Sequence, residues 1–171
     1  VSTNLVMKLP SSTAHMRFAC KIDLSRFKPS RQRGKKSFNS AVYKGDGYTA
    51  LLYANGSAVI LGCKSEDDLA VAHLELCIEL DSTAIQYPRV TNQVYSGSFD
   101  RSINLTESKT HLNEAGFFAL YEPELFPALI VTKKDYRGKL QVFRTGKYIL
   151  TGVTRKDDAE TLLSKAREQL I

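Results

Sequence analysis

The side chains of this chain that could do chemistry unaided are few and scattered. His15, His73 and His111 share no spacing that would bring imidazoles onto one metal ion. Cys20, Cys63 and Cys77 form no CxxC pair, and three widely spaced thiols fit neither a zinc site nor a disulfide framework. They fit a reducing compartment. Asp67-Asp68 and Asp157-Asp158 could imitate metal carboxylates. Each pair opens a helix-like run, however, where carboxylates cap backbone N–H groups and meet the positive end of the helix dipole. Ser, His and Asp occur without nucleophile-elbow spacing, and no GxxxxGK or GxGxxG loop is present. These patterns point away from an enzyme, and no cofactor is expected.

Chemistry of contact is better represented. Tyr53-Ala54-Asn55-Gly56 is followed by an apolar stretch that closes on Gly62. Phe143-Arg144-Thr145-Gly146 is followed by one that closes on Gly152, at an offset of 90. Asp67-Asp68 and Asp157-Asp158 keep that offset, and upstream Phe38 matches Phe126 at 88. A period this long is too great for a solenoid and implies a duplicated subdomain with a pseudo-twofold axis. An aromatic residue on a strand is ordinarily core. Recurrence at equivalent places in two repeats favours a shared surface role instead.

The elements that carry these residues read alike in both halves. Residues 39–44, 48–54 and 57–62 are strand-like, with Asn55-Gly56 a strong hairpin turn. Ser65 and Asp67 can cap a helix over 66–80, whose apolar set is Leu69, Val71, Ala72, Leu74, Leu76, Ile78 and Leu80. The second half predicts strands near 127–133, 138–144 and 147–152. A last helix over 156–170 carries Ala159, Leu162, Leu163, Ala166 and Leu170 on one stripe. Longer strands fit near 14–22 and 88–105, with a short helix or loop at 106–116. Leu51, Tyr53, Val59 and Leu61 share one parity, matched by Gln141, Phe143, Ile149 and Thr151. Leu52, Ile60, Val142 and Leu150 take the other. Both faces carry apolar residues, so one packs the helices and the second must meet something.

Composition bounds the reading. The chain has 171 residues, 43% of them hydrophobic, with eight Tyr and eight Phe, enough for a real core. No apolar run of about 18 residues offers a membrane span. The opening residues have no basic region before a long apolar stretch, so no secretory signal is expected. The net charge is +6. Residues 1–90 hold 12 Lys and Arg against 8 Asp and Glu, and the rest 12 against 10, so both halves are basic and suit a polyanion.

Tyr121-Glu122-Pro123-Glu124-Leu125-Phe126-Pro127-Ala128-Leu129-Ile130 resembles the second-repeat signature of the TATA-box-binding protein (TBP) family. The block Phe143-Arg144-Thr145-Gly146-Lys147 through Leu150-Thr151-Gly152 resembles the same repeat. The first repeat is similar at Ala50-Leu51-Leu52-Tyr53-Ala54-Asn55-Gly56, at Gly62-Cys63-Lys64-Ser65-Glu66 and at Cys20-Lys21-Ile22-Asp23-Leu24. The resemblance covers residues 14–171. It divides the chain into an N-terminal segment 1–13, a divergent repeat 14–87 and a repeat 88–171.

The resemblance implies an α+β pseudo-twofold saddle. A curved antiparallel sheet of about ten strands would carry four helices on its convex side. Members of the family enter the minor groove, kink DNA by about 80° and insert apolar wedges. The wedge positions fall on Phe38, Tyr53, Phe126 and Phe143, with Tyr departing from Phe at residue 53. Leu51, Val59, Leu61 and Ile149 would form an apolar floor, with Thr151 offering a hydroxyl and Gln141 standing where an apolar residue is expected. Leu61 likewise replaces an expected Thr. Central asparagines are expected, with Asn92 or Val94 in the second repeat and Ser11 or Asn4 in the first.

Phosphate contacts would come from Lys44, Arg144, Lys147 and the basic run 26–36 including Lys36, a run that is otherwise an ordinary solvated loop. Ser57 sits where the first repeat should carry Lys. Glu122, Glu124 and Leu125 resemble the stirrup that a TFIIB-like factor grips. TFIIA-like and TBP-associated factors are further partners. The implied role is a general transcription factor of the nucleus that bends A·T-rich promoter DNA and recruits TFIIB-like factors. An alternative is a TBP-related assembly factor with weak or non-TATA DNA binding, acting mainly through proteins. A third reading, an accessory domain of a nucleic-acid enzyme, lacks any catalytic module in this chain.

Overall fold

The computed structural model describes residues 7, 10–30 and 40–171. Two compact units divide the described chain, Ser11–Thr91 and Asn92–Ile171, the latter joined by Met7 and Pro10.

The first unit holds β1 (Ser11–Phe18), a 3-10 turn (Leu24–Arg26), β2 (Lys28–Pro29), β3 (Ser40–Lys44), β4 (Thr49–Tyr53), β5 (Ser57–Cys63) and α1 (Glu66–Glu79). Its strands lie in the order β2-β3-β4-β5-β1, all antiparallel. The long strand β6 (Ala84–Ser98) runs from this unit into the second. There it is followed by α2 (Leu105–Glu114), β7 (Phe118–Leu120), β8 (Ala128–Thr132), β9 (Lys139–Phe143), β10 (Lys147–Val153) and α3 (Lys156–Arg167). The order in the second unit is β6-β10-β9-β8-β7, again antiparallel. Each unit therefore contributes five adjacent strands, and ten are present among the described residues.

Strand parity divides the sheet faces as the alternation demands. Leu52, Ile60, Val142 and Leu150 are fully buried and belong to the two cores. In the first unit Ala14, Met16, Phe18, Leu52 and Ile60 pack with Leu69, Ala72 and Leu76 of α1. In the second, Leu129, Leu140, Val142 and Leu150 pack with Leu162, Leu163 and Ala166 of α3 and Leu112 of α2. Each buried Leu, Ile, Met, Phe or Val among them contributes roughly 1.5–3 kcal/mol of transfer free energy, and each Ala less. The repeats fill equivalent space with different partners. Met16 faces Ala58 across the strands of the first unit, whereas Gly97 faces the large buried ring of Tyr148 in the second.

Local chemistry sets the element ends. Ser65 caps α1 by accepting from the Asp68 N–H at 3.1 Å, and Asp68 in turn accepts the Lys64 N–H at 3.0 Å. Asp67 and Asp68 thus stand in the first turn of a helix, facing its dipole. Asn104 caps α2 by accepting from the Glu107 N–H. The strand expected to reach residue 105 stops at Ser98, because Asp100 turns the chain at φ 55 before that cap. The three-residue edge strand β7 was too short to leave a periodic signal.

Four helices are expected from the resemblance, but the described residues hold three α-helices. The missing one is the 3-10 turn Leu24–Arg26. Arg17 and Ser98 occupy equivalent pairing positions, an offset of 81 that places Asp23 on Asn104 and Leu24 on Leu105. Asp23 caps its turn just as Asn104 does, accepting the Ser25 N–H at 3.0 Å. Pro29, however, falls on the place of Thr110, mid-helix in α2. Proline cannot donate there, and it disfavours helical backbone at Lys28. The chain leaves the turn and pairs Pro29 with Ala41 instead.

Candidate nucleic-acid interface

Opposite the helices, each unit presents a sheet face covered by no element among its described residues. In the first unit, Lys28, Val42, Leu51, Val59 and His15 lie abreast across five strands. Beside that row, Lys44, Thr49, Leu61 and Thr13 form the next. Tyr53 lies at the end of β4 opposite Ser40. Leu51, Tyr53, Val59 and Leu61 are all half-buried, while Lys44 is exposed.

The second unit repeats the pattern. Leu120, Ile130, Gln141, Ile149 and Ser96 lie abreast, all half-buried. Gln141 therefore places an amide in the middle of an otherwise mostly apolar row, where its mate Leu51 is apolar. Thr151 pairs with Lys139 one row along. At the far end Phe126 and Phe143 stack edge to face, their centroids 6.4 Å apart with planes at 62°. Phe126 remains 39% exposed. Ala128, opposite Phe143 and two residues beyond Phe126, is buried.

Below the pair opens a hollow of about 860 Å³, whose lining includes Phe143, Ile149, Ser96, Ser98, Arg144 and Lys147. Small residues on β6 leave that room. Arg144 and Lys147 are both exposed at its edge.

The turns that hold the aromatics need glycine. Gly56 and Gly146 have φ of 93° and 83°. Their carbonyls accept N–H bonds from Phe18 and Phe99, at 2.8 and 2.9 Å. A Cβ on Gly146 would sit 1.9 Å from the Arg101 carbonyl oxygen, and one on Gly56 2.6 Å from that of Cys20. The hairpin tip after each aromatic is thereby pinned to backbone. Gly62 and Gly152, also at positive φ, mark the places where pairing with β1 and β6 slips. At the second slip the Asn92 side-chain oxygen accepts the Gly152 N–H at 2.8 Å.

The stirrup segment is a tight turn in which the Leu125 and Phe126 N–H groups both donate to the Glu122 carbonyl at 2.9 Å. Glu122 and Glu124 are exposed, and Leu125 is 81% exposed. Phe38, Lys36 and Asn4 lie outside the described residues.

Several residues of this face escaped the sequence reading. Val42 and Ile130 are repeat mates at an offset of 88, and carrying the parity of Leu51 across one more strand would have found them. His15, Ser96 and Leu120 needed the pairing register. The same register explains Ser57. In the second unit Lys147 faces Ser98, and in the first Ser57 faces Arg17. The cation has changed strands across one pair, and Arg17 is exposed.

Among the described residues no group of three or more His, Cys, Asp or Glu is placed to hold a metal ion. The three thiols are free.

A family model described as transcription factor TFIID (or TATA-binding protein, TBP) matches residues 7–82 and 87–171. A TATA-box-binding protein of Pyrodictium occultum is 31% identical over 142 residues, covering 79% of this chain and 69% of that protein. Another, of Pyrococcus abyssi, is 25% identical over 99% of this chain and 92% of its own length. In structure the chain is similar to the TBP of Methanococcus jannaschii, with a TM-score of 0.74 at 21% identity, over 95% of this chain and 97% of that one.

Proposed function

The chain belongs to the TATA-binding protein family, and on that premise we propose that it is a general transcription factor which binds and bends promoter DNA through the minor groove. The observation that carries the reading is the uncovered apolar row in each unit, with the Phe126–Phe143 pair at the end of the second. Half-buried Leu51, Val59 and Leu61 on the face of the first unit, and Ile149 on that of the second, each suit the floor of an A·T minor groove. A guanine N2 amino group there would lose its hydrogen bonds. Phe126 and Phe143 enter one base step, and the family resemblance assigns another to Tyr53 and Phe38. Unstacking costs a few kcal/mol per step, offset by wider contact on the bent duplex. Lys44, Arg144, Lys147 and Arg17 meet phosphates, and Lys36 adds to them.

Glu122, Glu124 and Leu125 offer two carboxylates beside an apolar anchor, which suits a basic patch on a TFIIB-like factor. TFIIA-like and TBP-associated factors are the other partners of this reading. Where the cell has a nucleus, promoter DNA places the protein there.

Gln141 favours a second reading, in which A·T selectivity is relaxed. Its amide oxygen can accept the guanine N2 hydrogen, so a G·C pair beneath it costs less than it would over Leu51. A chain of that kind depends more on protein partners than on the promoter sequence. The test is binding and bending of labelled A·T-rich and G·C-rich duplexes over a salt series. Tight, salt-dependent bending of the A·T-rich duplex supports the first reading. Equal affinity for both supports the second, and no bending at low salt overturns the wedge mechanism.

A further inference from the structure

The sequence predicts seven apolar residues on α1, and the structure divides them. Leu69, Ala72, Leu76 and Leu80 face the core. Val71, Leu74 and Ile78 face away, 48%, 60% and 80% exposed. They form one stripe at helical spacing. Tyr87 packs against His73 of α1, with ring centroids 4.9 Å apart and planes tilted at 52°, and both it and Ile85, two residues earlier, are exposed. An open groove of about 680 Å³ at the C-terminal end of α1 is lined by Leu74, Cys77, Ile78, Asp81, Ser82 and Thr83.

The fold does not require this stripe. The mates of Leu69, Ala72, Leu76 and Leu80 at the repeat offset are Ala159, Leu162, Ala166 and Leu170, all buried and apolar. The mates of Val71, Leu74 and Ile78 are Thr161, Ser164 and Glu168, all polar and exposed. The same supersecondary unit is therefore built with a polar outer face in one repeat and an apolar one in the other. Contiguous exposed apolar surface of this kind marks an interaction site.

Charge identifies the partner. Residues 65–88 contain Glu66, Asp67, Asp68, Glu75, Glu79 and Asp81 and no Lys or Arg, in a chain of net charge +6. Asp67 stands one turn before Val71, and Asp81 lies three residues past Ile78 on the groove itself. Asp68 and Glu75 are engaged by the Lys64 N–H and the Tyr48 hydroxyl, and Glu79 lies on the Tyr43 side with Arg26 donating to its carbonyl, which leaves Glu66, Asp67 and Asp81 as the exposed carboxylates nearest the stripe. This field repels phosphate and anionic lipid headgroups. It also opposes a second copy packed face to face, which would set acid against acid.

We propose that the outer face of α1 is a docking site for a basic amphipathic helix of a partner protein. Its apolar side lies along Val71, Leu74 and Ile78, and its Lys or Arg residues meet the flanking carboxylates. The inference stands whether or not the opposite face binds DNA.

The test uses a fluorescent synthetic peptide of about 18 residues, with Leu at i, i+3, i+4 and i+7 and Lys elsewhere. A twin carries Glu for Lys. Anisotropy titration of the full chain is expected to show binding of the Lys peptide that weakens with salt, and none of the Glu twin. Leu74→Ser/Ile78→Glu installs the residues of the second repeat. It should weaken the Lys peptide at least about tenfold, although it adds an acid that charge alone would reward. Val71→Thr should act in the same direction, and melting temperatures should hold because these side chains are exposed. Equal binding of the Lys peptide by wild type and variant overturns the proposal, as does equal binding of the twin or no binding by wild type. Self-association in sedimentation that the double variant abolishes would assign the face to a second copy and overturn it also.

Discussion

Removing the stacked ring pair separates the two roles that aromatic residues on a sheet can have. In the variant Phe126→Ala/Phe143→Ala, the folded state loses the contact between rings 6.4 Å apart, about 0.5–1.5 kcal/mol. It also loses the buried part of each ring. A fully buried Phe contributes roughly 1.5–3 kcal/mol. With Phe126 39% exposed and Phe143 half-buried, the pair together contributes about 2–3 kcal/mol. The core beneath, built on Leu129, Val131, Leu140 and Val142, is untouched. The double variant should therefore lose about 2.5–4.5 kcal/mol in all, melt roughly 5–18 °C lower and remain folded. On DNA there is a separate loss, because an opened base step with no ring in it has nothing to offset the unstacking. That step costs a few kcal/mol, so affinity for an A·T-rich duplex should fall roughly 30- to 150-fold. Energy transfer between dyes at the duplex ends should report a straightened DNA at saturating protein. Ile78→Glu, on the helix side of the first unit, is the control and should bend DNA normally. A double variant that still bends DNA fully would refute the wedge role. So would a loss of stability above about 6 kcal/mol, the cost of truncating two core rings.

Gln141→Leu, which copies Leu51 of the other repeat, should sharpen the preference for A·T over G·C pairs by about 1 kcal/mol, measured by competition binding. Arg17→Ala should lower the slope of log affinity against log salt by about 1, as Lys147→Ala should, and Ser57→Ala should leave it unchanged. The Tyr148 hydroxyl is buried without a hydrogen-bond partner. Tyr148→Phe should therefore raise stability by about 1 kcal/mol in urea melts. Burial pushes that hydroxyl up to about 12 in the folded chain. A pKa raised on folding gives stability that is full below pH 10 and lost as pH climbs through 12. Tyr148→Phe should therefore make the alkaline decline shallower, by up to about 1.4 kcal/mol per pH unit.

Much of this architecture is written locally. Aromatic–x–x–Gly followed by an apolar strand names a hairpin, its recurrence at an offset of 90 names a duplication, and strand alternation assigns Leu52 and Leu51 to opposite faces. The hairpin and the alternation depend on neighbours two to four residues apart, and the duplication on comparing such local patterns along the chain, so a linear reading recovers them. The family signature around Phe126 is equally linear. Other features were decided across the sheet. Arg17 replaces the missing cation at Ser57 only because the β1–β5 register sets them opposite each other. Asn92 reaches Gly152 because pairing slips there, 60 residues away in sequence. Pro29 cancels a helix that Asp23 would start, which becomes evident once the repeats are superposed by pairing. The seven apolar residues of α1 span most of its circumference, so periodicity could not say which side was core. A sheet covers a helix on one side. Which side that is, and hence which of those residues are left facing solvent, follows from packing.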